Sequence, residues 1–355
     1  MTLTESISIE RVKKSRLSTI DFSNLGFGNH ISDHMLVADY KDGAWHEPKI
    51  IPFGDMMMSP AMLSLHYGQT IFEGMKAFKN KNGEIIVFRP QRHHQRMNKS
   101  LERMCMPTLS EEYFLNSLSA LIEVDSDWVP TAEGSSLYLR PFVFAFEAKL
   151  GVKIADEYKF MIITSPVGPY FAKPVKLKVE EEYVRAAEGG TGFAKCAGNY
   201  GGAFYPTLIA QKQGFDQVLW TDAKEHKYID ESGAMNVMFV LNGKLVTPKL
   251  TTSLLDGVTR DSILTLSSSL GLEKEERKVS VAEIEEGFKK GTLTEAFGVG
   301  TAAVVSTIAS ISIHGKNYEL PVVNENSFQL RIKKKLNDIR RGNEPDVHGW
   351  NYTIK

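Results

Sequence analysis

Two Asn-Gly pairs, Asn82-Gly83 and Asn242-Gly243, each lie between apolar runs, in MKAFKNKNGEIIVF and MNVMFVLNGKLVT. Such pairs favour the positive backbone angles of tight hairpins, so both predict neighbouring antiparallel strands. Helical segments separate them. A stretch after Pro90 places Met97, Leu101, Met104 and Cys105 on one face and ends at Pro107. A second covers 111–123, and others start at Phe204, at Thr259 or Arg260, after the capping-box pattern Ser280 to Glu283, and at Asn326. Strands are expected at 35–40, 136–146, 158–165 and 217–221. Hairpins mixed with helices point to an α+β fold and away from a doubly wound parallel sheet.

The chain has 355 residues, more than one core usually holds, so two domains are expected. Two prolines, a glycine and several charges between Gly168 and Lys178 suggest the connection. The division is an N-terminal domain 1–172, a linker 173–188 and a larger C-terminal domain 189–355. The net charge of -1 provides no overall field to hold nucleic acid or an anionic membrane. Two cysteines, Cys105 and Cys196, fit a reducing compartment better than a disulfide scaffold. The first residues, MTLTESISIERVKKSRL, lack an apolar stretch and include Glu5 and Glu10, so a cytoplasmic protein is expected. There is no H-E-x-x-H, C-x-x-C, G-x-S-x-G, P-loop or strand-linked G-x-G-x-x-G, and no metal is expected.

Lys195 sits among Phe193, Ala194, Cys196, Ala197 and Gly198. An amine poorly solvated there is freed to attack an aldehyde. Taken alone, it reads first as a surface lysine in a Gly-rich loop. Glu231 follows a short strand at 227–230 and could hold a pyridine nitrogen in its protonated form; alone, it too reads first as an exposed loop residue. LLDGVTRDSIL and FGVGTAAVV place backbone N–H groups and hydroxyls where a phosphate could bind, although most helix starts bind only water or a side chain. Arg96, next to Met97, lies near the edge of the core face of its helix, half buried and able to meet an anion. Arg92 and Lys99 belong to a solvated face. In the strand 136–146, Tyr138 and Arg140 share one side and Leu137 and Leu139 the other. An arginine inside so apolar a strand needs an acidic ligand or an internal carboxylate opposite it.

Seven segments in order, LHYGQTIFEGMKAF (65–78), FRPQRHHQRMNKS (88–100), DWVPTAEGSSLYLRP (127–141), KCAGNYGG (195–202), QVLWTDAKEHKYIDESGAMN (217–236), LDGVTRDSIL (255–264) and FGVGTAA (297–303), resemble the branched-chain aminotransferases among the fold-type IV pyridoxal-phosphate enzymes. The resemblance implies two α+β domains with the cofactor at their interface, as in D-amino-acid aminotransferase. It implies a homodimer whose partner chain helps close the pocket. Lys195 resembles the lysine that holds pyridoxal 5'-phosphate as a Schiff base and moves the substrate proton. Tyr200 is similar to the tyrosine on the cofactor's phenolic oxygen, and Glu231 to the carboxylate on its ring nitrogen. Arg96, Val258, Thr259 and Thr301 resemble the phosphate ligands. Tyr67, Phe72, Tyr138 and Arg140 resemble the substrate pocket, with Thr301 and Ala302 near the substrate carboxylate.

The implied reaction is a ping-pong amino transfer between leucine, isoleucine or valine and 2-oxoglutarate. An apolar pocket accepts the first class of substrate, and Arg140 with tyrosine hydroxyls meets the distal carboxylate of glutamate. The alternatives within the fold type are a D-amino-acid transaminase or an aminodeoxychorismate lyase, whose sequences are not expected to contain both EGMKAF and LYLRP. A cofactor-free binding protein would be expected to lack Lys195 or Glu231. Ala303 and Ser306 stand where eukaryotic members carry a C-x-x-C pair, so no thiol switch is expected there. Ala234 replaces a small polar residue, and Cys196 beside the lysine has no explanation in the sequence.

Overall fold

A computed structural model describes residues 7–168 and 173–354. The chain divides into two compact units, one of Met1–Tyr170, Ala194–Ala197 and Asp338–Lys355, the other of Phe171–Phe193 and Gly198–Asn337. This differs from the single boundary expected from composition. Of the expected connection at 168–178, residues 169–172 lie outside the described residues. Part of the expected linker is a strand, Val175–Val179, built into the second unit's sheet. Lys195 groups with the first unit and not with the C-terminal one.

The first unit contains strands β1 (Ser8–Ile9), β2 (His34–Lys41), β3 (Ala44–Trp45), β4 (Lys49–Pro52), β5 (Thr70–Phe72), β6 (Met75–Lys79), β7 (Ile85–Phe88), β8 (Ser136–Ala145) and β9 (Tyr158–Val167), with a closing strand Asn351–Ile354. They form one sheet in the order β1-β4-β2-β9-β8-β6-β7-closing strand, with β3 on β2 and β5 on β8. All of these pairings are antiparallel except β1 with β4. Helices α1 (Leu63–Tyr67), α2 (Pro90–Arg103) and α3 (Glu111–Val124) accompany it. Met97 and Leu101 of α2 and Phe114 and Leu118 of α3 share a buried cluster with Leu137, Leu139 and Phe160 of the sheet. Cys105 falls just past α2 in a left-handed turn and is exposed, contrary to its expected place on the buried face. Both cysteines are free thiols.

The second unit contains β10 (Val175–Val179), β11 (Gln217–Thr221), β12 (Ile229–Ser232), β13 (Met235–Leu241), β14 (Lys244–Pro248), β15 (Lys274–Arg277), β16 (Leu293–Gly300), β17 (Val304–Ile313) and β18 (Lys316–Glu319). Its sheet runs β12-β11-β10-β17-β16-β13-β14-β15, and β12 also pairs with β13, which closes six of the strands into a barrel. Helices α4 (Gly198–Gly201), α5 (Phe204–Lys212), α6 (Val258–Leu266) and α7 (Val281–Lys290) follow the strands, and α8 (Phe328–Arg340) comes last. The Ser280 hydroxyl accepts from the Glu283 N–H at 3.1 Å, so the expected cap opens α7.

The two Asn-Gly turns differ in geometry. Asn242 and Gly243 both have positive φ, 52° and 74°, in a two-residue hairpin between β13 and β14. At the first, only Gly83 is left-handed, at 84°, in a longer loop closed by Asn80 N–H to the Glu84 carbonyl at 2.9 Å. Both produce the antiparallel pairs expected of them. Among the described residues, no helix is long and apolar enough to cross a membrane.

Candidate active site

Residues 194–197 run beside β5 as a short antiparallel rung. The Phe72 N–H donates to the Lys195 carbonyl and the Ala197 N–H to the Thr70 carbonyl, both at 3.0 Å, and Ile71 bridges Cys196. Extended backbone alternates its side chains. Ala194 (1% exposed) and Cys196 (3%) therefore enter the first unit's core, and Lys195 points the other way. Cys196 thus has a physical role: it is a small apolar anchor that fixes which way its neighbour faces. Lys195 is half-buried, with its amine 4.8 Å from the Phe72 ring centre. Its N–H donates to the Ser100 hydroxyl at 2.9 Å, which donates to the Arg96 carbonyl at 3.0 Å. Its backbone is thus anchored on both sides, to β5 through the carbonyl and to Ser100 through the N–H.

On β8, Leu137 and Leu139 are fully buried while Tyr138 and Arg140 share the opposite face, as the alternation predicts. The Arg140 guanidinium lies 4.8 Å from the Phe72 ring centre and 5.3 Å from that of Tyr138, and donates to the Tyr138 hydroxyl at 3.0 Å. Its Nε–H is enclosed with no hydrogen-bond partner among the described residues. Among the described residues, no carboxylate forms an ion pair with Arg140. Tyr138 reaches this position because residue 74 is glycine: a Cβ there would fall 2.0 Å from the Tyr138 hydroxyl. Tyr67 is exposed and donates to the Leu150 carbonyl.

Arg96 is buried, not half-buried as expected, and one edge of its guanidinium, Nε and Nη2, meets the carboxylate of Glu73. Sequence reasoning gave Glu73 no role, although it lies within the EGMKAF segment. On the first unit, then, Lys195, Phe72, Tyr138 and Arg140 come together, and Arg96 joins them through Ser100.

The second unit carries the remaining residues. Glu231 lies within β12, not after it, and is 3% exposed. Its Oε1 accepts from the Leu255 N–H at 2.8 Å and the Asn236 side chain at 3.1 Å. Its Oε2 is 3.2 Å from Arg185 Nε, an ion pair whose N–H is not aligned for a hydrogen bond. Arg185 and Asn236 are further residues that the sequence did not signal. Asp230 beside it is also buried, and burial first, then the charge of Glu231, pushes its carboxyl up to about 6.

Helix α6 begins at Val258, with Gly257 as an N-cap that supplies no side-chain bond. Val258 and Thr259 are buried there, and a Cβ on Gly257 would fall 2.0 Å from Asn236 Oδ1. Thr301 and Ala302 form the turn after β16, followed by Val304 at φ 63°. A β-branched residue in the left-handed region is strained, and such strain concentrates at functional turns. Gly298 and Gly300 belong to β16 itself, while the turn proper is 301–303. Tyr200 is half-buried on α4, where the neighbouring Asn199 exchanges two 2.8 Å hydrogen bonds with Thr191.

The sequence model of the amino-transferase class IV family matches residues 70–311, a span that holds Phe72, Arg96, Arg140, Lys195, Glu231 and Thr301. The chain belongs to the class IV aminotransferases. Among members of the family, it is 46% identical to the probable branched-chain-amino-acid aminotransferase of Staphylococcus epidermidis, over 99% of each chain. It is 44% identical to the branched-chain-amino-acid transaminase 1 of Bacillus subtilis, over 94% of this chain and 95% of that one. The fold of this class IV aminotransferase matches the branched-chain aminotransferase of Thermoproteus uzoniensis solved with norvaline, at a TM-score of 0.74 and 22% identity over 91% of this chain and all of that one (100%). The Escherichia coli branched-chain amino acid aminotransferase gives 0.71 at 24% identity, over 90% and 99%. The α+β, fold-type IV expectation is thereby met, and the family implies pyridoxal phosphate as the cofactor.

Proposed function

We propose that this class IV aminotransferase transfers the amino group of leucine, isoleucine or valine to 2-oxoglutarate. The observation that carries the substrate class is the Arg140–Phe72 pair next to Lys195. One ring face and one guanidinium with an enclosed, unpartnered N–H serve two opposite side-chain types. Phe72 supplies apolar contact for a branched side chain, and Arg140 with the Tyr138 hydroxyl supplies donors for a distal carboxylate. The family resemblance assigns Tyr67 to the same pocket. The near full-length identity to relatives named for the same activity supports the reading.

The residues present fit pyridoxal phosphate. Glu231 is a buried carboxylate whose Oε2 has one misaligned partner and retains capacity to accept from a protonated ring nitrogen. On the second unit, the uncapped start of α6 at Val258 and Thr259 offers N–H groups to a phosphate, with Thr301 as a further donor; the family resemblance gives Arg96 of the first unit the same role. Tyr200 would hold the phenolic oxygen. When bound, the cofactor supplies an aldehyde and an electron sink. Lys195 provides the amine that engages the aldehyde and carries the proton to and from the substrate Cα. Thr301 and Ala302 orient the substrate carboxylate. The Phe72 ring and the Ser100 hydrogen bond limit the directions the Lys195 chain can take. The working form in this reading is a cytoplasmic homodimer.

The purified protein, saturated with pyridoxal phosphate, is expected to show a visible or near-ultraviolet band that shifts on adding L-leucine. Faster turnover of D-alanine than of L-leucine would replace this reading with a D-amino-acid transaminase. Arg140→Met is expected to raise the KM for glutamate roughly tenfold or more, the usual loss of a charge-assisted hydrogen bond, and to change that for leucine far less. Equal losses for both substrates would make Arg140 structural.

A further inference from the structure

Two buried residues around Arg96, Glu73 and His93, have no part in the chemistry assigned above. Glu73 is 0% exposed and follows Phe72 directly. Its Oε1 accepts from Arg96 Nε at 2.7 Å. Its Oε2 accepts from Arg96 Nη2 at 2.9 Å, from His93 Nδ1 at 2.8 Å and from the Gly74 N–H at 3.2 Å. His93 and Arg96 are three residues apart on α2, so one helix face presents both to the same carboxylate. Burial alone would push the Glu73 carboxyl up, but the charge and hydrogen bonds of Arg96, followed by those of His93, hold it well below the usual carboxylate range. Burial pushes His93 down, and the charges of Arg96 and Lys195 add to that against the pull of Glu73. A neutral imidazole that gives its Nδ1 proton to Glu73 fits both constraints.

We propose that Glu73 and His93 are positioning residues for the cofactor's phosphate. The inference rests on the reading of Arg96 as a phosphate ligand. Glu73 takes the Nε–Nη2 edge of the guanidinium side-on and turns its Nη1 side away from the carboxylate. His93 holds Glu73 in that plane from the next turn of α2. An arginine has four rotatable bonds along its stem before the fork, and a bidentate clamp on one edge removes most of that freedom. The same cluster is tied to the lysine, because the Ser100 hydroxyl joins the Arg96 carbonyl to the Lys195 N–H. Phosphate grip and lysine direction are therefore set by one turn of one helix.

The test measures apoprotein affinity for pyridoxal phosphate by equilibrium titration and for inorganic phosphate by competition, with circular dichroism as the folding control. Glu73→Gln keeps the shape and removes the charge; both affinities are expected to fall about tenfold or more, together. His93→Phe is expected to weaken both about fivefold, and His93→Gln, which still offers an N–H, to recover most of the loss. Folded Glu73→Gln or His93→Phe protein that binds both within about twofold of wild type would overturn the proposal, as would loss of folding in both variants, which would make the cluster a stability element. Arg96→Ala with undiminished phosphate affinity would overturn it too. Failure of the functional reading is distinguishable, since it shows in the wild-type protein, as faster turnover of D-alanine than of L-leucine or as no binding of pyridoxal phosphate, and not in the Glu73 and His93 variants.

Discussion

Each unit buries a glutamate against an arginine, and the two pairs are built to different ends. Glu73 accepts four hydrogen bonds, two of them from Arg96 in a side-on clamp. Glu231 has comparable burial, but among the described residues its Oε2 has only a misaligned Arg185 for company, and a second acid, Asp230, sits beside it. A buried carboxylate that is fully satisfied is finished and can only position its partners. One that retains acceptor capacity, and costs stability in its ligand-free form, is a place where a ligand's positive group is expected. In the proposed reading, the contrast separates a scaffold acid, Glu73, from a chemical one, Glu231.

Lys195→Ala sets the floor for testing that contrast: it is expected to abolish turnover, and residual activity near that of wild type would remove the lysine from the chemistry. Glu231→Gln comes next, with kcat expected to fall by roughly 10²- to 10³-fold, the scale of losing a preorganised charge at a reacting centre. If Glu73→Gln lowered kcat more than Glu231→Gln did, the roles of the two acids would be reversed. The smallest effect concerns Asp230. Its carboxyl is raised to about 6 from an ordinary 3.8, so the stability from its protonated form is full below about 3.8 and is lost as pH rises through about 6. Asp230→Asn is therefore expected to stabilise the apoprotein by on the order of 2 kcal/mol at pH 7.5 and much less at pH 4. Urea unfolding at the two pH values measures it, and an equal gain at both would mean that the charge of Asp230 is compensated.

Local signals in the sequence carried much of the fold. Asn242-Gly243 dictated its hairpin because only residues tolerant of positive φ fit there, and Ser280 marked the start of α7 because its hydroxyl accepts from the Glu283 N–H. Leu137 to Arg140 declared their two faces by period alone. What stayed hidden depended on distant partners. Nothing near Arg96 in sequence announces Glu73, nothing near Glu231 announces Arg185, and the depth at which each is buried follows from those pairings. The division into units differs from the expected boundary for a related reason: composition marks a stretch of loop, but it cannot register that residues 194–197 interrupt the second unit in sequence and belong to the first, where they pair with Thr70–Phe72. Those four residues also explain Cys196, which looked arbitrary beside the lysine and is an ordinary core residue once β5 is in place.

That excursion, with the closing strand Asn351–Ile354 paired to β7, bears on how the protein is made. A nascent chain that has emerged as far as β9 holds most of the first sheet but neither the rung that orients Lys195 nor the strand that covers its edge. The first sheet is complete only when residues 351–354 leave the ribosome. Premature termination anywhere in the second unit therefore leaves an uncovered sheet edge, the kind of surface on which partly made chains associate.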